Sequence, residues 1–165
     1  MKKIKYPDYA NSTVSLANSI LKYFGAPVHH EETLALLDRK FAEREYENVV
    51  VILLDGMGKC IVDANLEPDG FFASHLAGTY SAVFPPTTVA ATTSICSGLY
   101  PVEHCWLGWD CYYPKIDKTV TVFLNREAGT TRPAAEYPVA KTLCPYQSLV
   151  EQIRENGGQA YSLIP

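Results

Sequence analysis

Two short segments carry residue types and spacing suited to phosphate chemistry. The first is Asp55, which follows the apolar run Val49-Val50-Val51-Ile52-Leu53-Leu54 and precedes Gly56. A carboxylate at the end of a buried strand loses hydration unless something pairs with it, and a divalent cation is a natural partner. Asp is also a good helix cap, so position alone leaves metal ligation and capping open. The second segment is Phe84-Pro85-Pro86-Thr87-Thr88, followed by small residues up to Gly98. Two prolines fix the entry to a helix, and hydroxyls fall in its first turn. The free N–H groups of such a turn attract anions. A threonine hydroxyl there faces a bound phosphate, but it needs a metal or base to become a nucleophile. Capping by Thr87 or Thr88 is the structural alternative.

The elements around these segments read as alternating helices and strands. Val14, Ala17, Ile20, Leu21 and Phe24 share a helical face, with Asn11 or Ser12 as cap and Gly25 as stop. Leu34, Leu37 and Phe41 repeat the pattern. Val49 to Leu54 predicts a strand buried on both faces, as in the interior of a parallel sheet. A helix is expected from about Lys59 and another across Gly70 to Leu76. Thr79 to Phe84 predicts a second strand, and Thr88 to Ser97 a short helix stopped by Gly98. Thr119 to Leu124 predicts a strand, Arg126 to Tyr137 a loop, Pro145 to Asn156 a helix, and Gln159 to Ile164 a last strand. Alternation of this kind implies a single α/β domain over residues 1–165 with a mainly parallel sheet. In such sheets ligands bind beyond the carboxyl ends of the strands, where Asp55 and Thr88 would meet. A final strand ordinarily feeds a crossover helix, so the sequence reads as the N-terminal part of a larger catalytic domain.

Composition narrows the function. Of the 165 residues, 47% are hydrophobic and 19% charged, and the net charge of −4 offers no basic stripe for a nucleic-acid duplex. No apolar stretch reaches membrane-span length, and no long apolar segment follows the basic start Met1 to Lys5, so a cytoplasmic protein is expected. Cys60, Cys96, Cys105, Cys111 and Cys144 are odd in number and irregularly spaced, which suits reduced thiols.

Taken in order, the apolar strand, Asp55-Gly56, Phe84-Pro85-Pro86-Thr87-Thr88 and Ser97-Gly98-Leu99-Tyr100-Pro101-Val102-Glu103-His104 resemble the type I phosphodiesterase and nucleotide pyrophosphatase branch of the alkaline phosphatase superfamily. The resemblance is close over residues 49–109. It implies an alkaline phosphatase-like sandwich with a mainly parallel central sheet flanked by helices. It also implies two divalent metal ions, zinc or manganese, with Asp55 and Thr88 as ligands. Thr88, ten residues before Gly98, corresponds to the nucleophile that forms a phosphothreonine intermediate on a small phosphate ester. The sequence departs from the family in three places. No Asp-His pair follows Trp109, and the histidines are limited to His29, His30, His75 and His104. Trp109 stands where nucleotide-cleaving members carry Asn, and Cys105 replaces the Gly that follows the His.

Other groupings are weaker. His104 fits a brace for the loop after the nucleophile helix better than a ligand. His104, Cys105 and Cys111 match no standard zinc module. Gly56-Met57-Gly58-Lys59 lacks the spacing of a phosphate loop. Trp106, Trp109, Tyr112 and Tyr113 suit either a wall for the leaving group or ordinary packing. Three functional classes remain: a metal-dependent phosphodiesterase or phosphatase, a phosphonate hydrolase or phosphomutase, and an inactive domain that only binds a partner.

Overall fold

Ser12 starts the first helix by a reciprocal cap. Its hydroxyl accepts from Val14 N and Ser15 N, while Ser15 Oγ accepts from Ser12 N. In the computed structural model, which describes residues 6–163, this gives α1, Thr13–Tyr23, ended by Gly25 at φ +70°. Then follow α2 (Ala35–Glu43), α3 (Lys59–Asn65), α4 (Phe71–Ser74), α5 (Thr88–Ser97) and α6 (Pro101–His104). Three strands come next: β1 (Asp110–Tyr113), β2 (Lys118–Thr121) and β3 (Arg126–Glu127). The last elements are α7 (Val139–Leu143) and α8 (Leu149–Glu155), the latter capped by Ser148 and Glu151.

The expected alkaline phosphatase-like sandwich is overturned. The sheet found among the described residues is a three-stranded antiparallel meander in the order β1-β2-β3. Asp110 pairs with Thr121 and Tyr113 with Lys118, and Val120 pairs with Glu127 on the other side. Left-handed residues Asp117 (φ +50°) and Asn125 (φ +51°) turn the chain between strands. The segment 49–54 joins no strand and makes no backbone hydrogen bond among the described residues. Its side chains face solvent on both sides, Val50 at 80% and Ile52 at 77% exposure. The expected strand over Thr79 to Phe84 is reduced to one parallel bridge, in which Ser81 N donates to Asn11 O and Ser81 O accepts from Thr13 N. Residues 159–163 are likewise without strand pairing, and Ile164 and Pro165 lie outside the described residues, as does the basic start Met1 to Lys5. A continuous apolar run records what a strand is suited to bury, but pairing needs neighbouring strands of matching direction.

The unpaired segments leave a measurable trace. The accessible surface is 11415 Å². A folded monomer of 18.3 kDa is expected to expose about 8,100 Å². Burial is concentrated around α5. Val14, Val83 and Ala90 form one core beneath it, and Ile20, Leu21, Ala26 and Ile153 a second between α1 and α8. Val89, Trp106, Tyr113, Val120, Val122, Val139 and Ala140 form a third, which seats the meander and α7 against the start of α5.

Polar side chains fix the far end of α5. The side chain of Asn18, wholly buried, donates through Nδ2 to Val14 O and Gly98 O, each at 3.0 Å, and accepts from His29 N at 2.8 Å. Gln152 Nε2 donates to Ser97 O at 3.0 Å, and Gln152 Oε1 lies 2.7 Å from His29 Nε2. Gly98 sits at φ +79°, and an added Cβ would meet His29 Cδ2 and Leu21 Cδ1, both at 3.2 Å. Both facts require glycine there. These contacts hold α5 at its C-terminal end.

Candidate functional site

Two adjacent threonines begin α5, and they divide the work. Thr87 is the cap: its Oγ1 accepts from Ala90 N at 3.1 Å and donates to Leu107 O at 2.8 Å. Thr88 is the first helical residue, and its hydroxyl is spared from capping. Thr88 Oγ1 instead donates to Asp55 Oδ2 at 3.3 Å, across 33 residues of chain. Asp55 Oδ1 accepts from Gly56 N at 2.9 Å, with Gly56 at φ +68° in the turn after the extended segment. Asp55 is exposed and Thr88 half-buried, so both oxygens are open to a ligand from solvent. The N–H groups of Thr88 and Val89 fall at the first two positions of the helix, where the α-helical ladder supplies no acceptor. Carboxylate, hydroxyl and free amides therefore meet at one end of α5.

The fit to metal is partial. Zinc–oxygen bonds of about 2.0–2.2 Å place two tetrahedral ligand oxygens about 3.3–3.6 Å apart. The Thr88–Asp55 separation of 3.3 Å matches one such edge. Among the described residues, no group of three or more His, Cys, Asp and Glu side chains converges to complete a metal shell. Asp55 and Thr88 thus suit one side of one cation, and a two-ion centre does not assemble from the described residues.

The histidines are committed elsewhere. His104 is buried, with Nε2 at 3.1 Å from Ser94 Oγ and Nδ1 accepting from Trp106 N at 3.0 Å. That pairing makes Nε2 the protonated nitrogen and leaves neither free for a metal. Burial lowers its pKa to about 4. His104 ties α5 to the loop after α6, and it cannot join Cys105 and Cys111 around zinc in this arrangement. His30 Nε2 is 2.9 Å from Glu103 Oε2, which also accepts from Tyr100 N at 2.6 Å. His75 lies on α4's end beside Ser74 and Phe71.

The aromatic group divides too. Trp106 is buried and donates through Nε1 to Cys144 O at 2.9 Å, and Tyr113 is buried in the same core. Trp109 and Tyr112 remain exposed. Lys118 Nζ donates to Ala134 O at 3.0 Å. Two of the features that carry no clear signal in the sequence lie beside this site. One is β1, whose Cys-Tyr-Tyr alternation was masked by the aromatic cluster. The other is a cavity of about 510 Å³ lined by Cys105, Cys111, Tyr113 and Cys144, which sequence distance conceals. No helix among the described residues is long and apolar enough to cross a membrane. Comparison with family models, curated proteins and solved structures finds no match to the chain.

Proposed function

We propose that the chain contributes the nucleophile of a metal-dependent phosphate ester hydrolase, a phosphodiesterase or phosphatase acting through Thr88. The observation that carries this reading is the hydrogen bond from the Thr88 hydroxyl to the Asp55 carboxylate at the open first turn of α5. Thr88 is freed for chemistry because Thr87 already caps the helix. Asp55 orients the hydroxyl and accepts its proton as Thr88 Oγ attacks phosphorus. The ester P–O bond breaks, the alcohol leaves, and a phosphothreonine remains for water to cleave. The amides of Thr88 and Val89, with the helix dipole, favour the phosphoryl oxygens at that position. Asp55 and Thr88 would hold a divalent cation, which when bound would lower the hydroxyl pKa that an unassisted threonine keeps high.

A second reading is an inactive domain acting in binding alone. The incomplete ligand set favours it. Hydrolysis of a chromogenic phosphodiester by the protein at its full natural length, with zinc or manganese added, separates the two. The hydrolase reading expects activity that Thr88→Ala abolishes and Thr88→Ser retains in part. Full activity in Thr88→Ala removes Thr88 as nucleophile, and no metal-stimulated activity in the wild type favours the binding domain.

A further inference from the structure

We propose that Cys105 and Cys144 form a reversible, peroxide-driven disulfide at the cavity beside the meander. Cys105, Cys111 and the sequence-distant Cys144 line this cavity together with Tyr113. Cys105 is exposed, whereas Cys111 and Cys144 are half-buried. Cys105 occupies a left-handed turn at φ +61°, just past α6, and Cys144 closes α7. Burial and the adjoining Cys105 thiol push the Cys144 thiol above its ordinary pKa. The accessible member of the pair is therefore the first to meet oxidant, and its neighbour is the resolving thiol.

Tyr113 adds an independent observation. It is 5% exposed, and its hydroxyl has no hydrogen-bond partner among the described residues. Burial pushes its pKa well up, with the three cysteines adding to the effect, so the hydroxyl stays protonated. A buried donor without an acceptor is costly, and a thiolate forming in the cavity offers one.

The steps balance. The Cys105 thiolate attacks a peroxide oxygen, the O–O bond breaks, and water leaves with the sulfenic acid formed on sulfur. The Cys144 sulfur then displaces the sulfenic hydroxyl as a second water. Two thiols and one hydrogen peroxide give one disulfide and two waters, with two electrons passing to the peroxide. The bond would join the end of α7 to the loop whose Leu107 carbonyl receives the Thr87 hydroxyl, and so would brace the start of α5. The chemistry requires nothing of the hydrolase reading.

The test treats the full chain with hydrogen peroxide, blocks remaining thiols with N-ethylmaleimide, and maps peptides without reduction. The expected result is loss of two of the five thiols, a Cys105–Cys144 crosslinked peptide, and recovery of both thiols with dithiothreitol. Cys105→Ser and Cys144→Ser each lose the crosslink, while Cys111→Ser and Cys60→Ser keep it. Crosslinking through any other pair, direct passage of Cys105 to sulfinic or sulfonic acid, or five intact thiols would each overturn the proposal. The wild-type map decides the matter even if a variant fails to fold.

Discussion

Replacing Asn18 by alanine tests whether the C-terminal end of α5 is held by polar contacts. The carboxamide makes four hydrogen bonds: two donated by Nδ2 to Val14 O and Gly98 O, and two accepted by Oδ1, from His29 N at 2.8 Å and from His30 N at 3.4 Å. Val14 O lies within α1 and has the helical ladder as a second partner, so its loss is mild. Gly98 O and His29 N are the expensive pair. Each unsatisfied buried group costs about 1–3 kcal/mol. Two such groups give about 2–6 kcal/mol, and water access at the exposed residue His29 places the expectation near 3 kcal/mol. For a domain of this size that corresponds to a fall in Tm of about 6–12 °C. Urea and thermal unfolding followed by circular dichroism measure it directly. Asn18→Asp keeps the acceptor for His29 N but sets a carboxylate against Gly98 O, so it should be at least as damaging. A variant Asn18→Ala within about 0.5 kcal/mol of wild type, the range of ordinary surface changes, would show that α1 does not anchor α5 in this way.

Two further outcomes follow from other features. His104 is neutral when buried, with its pKa lowered from 6.5 to about 4, so the unfolded chain binds the proton more readily in that interval. Stability should be fully present above pH 6.5 and fall as pH drops toward 4, and His104→Gln should flatten that part of a Tm-against-pH profile. Ile52→Lys changes a side chain that is 77% exposed in an unpaired segment. It should leave unfolding free energy within about 0.5 kcal/mol of wild type while reducing self-association in light scattering. A large destabilisation would mean that Ile52 is packed.

Much of the helical framework was legible, because helix signals are local. Ser12, Gly25 and the spacing from Val14 to Phe24 define α1, and Thr88 to Ser97 is recovered over its whole length. The sheet was not legible, because pairing is a property of partners distant in the chain. The Val49 to Leu54 run has the composition of a buried central strand but stands alone among the described residues. The strand expected from Thr119 is realised in part as β2, whereas its antiparallel partner β1 and the left-handed turn at Asp117 carry no clear local signal. At the candidate site, residue types pointed to Asp55 and Thr88. The division of labour between Thr87 and Thr88 needed coordinates, since either hydroxyl satisfies the capping pattern. The thiol cavity needed them too, because nothing in the sequence brings Cys144 to the nearby pair Cys105 and Cys111.

The ribbon that ends at Asp55 has a thermodynamic corollary. Thr88 is presented by a helix anchored on several sides, whereas the carboxylate arrives on a stretch without backbone partners. Any surface that shields Val50 and Ile52 from water also narrows the positions open to Asp55, so part of the gain from covering those side chains is spent on fixing the acid beside the hydroxyl. Ligand affinity at the mouth of α5 and occupancy of that ribbon are then linked functions, and strengthening either one strengthens the other.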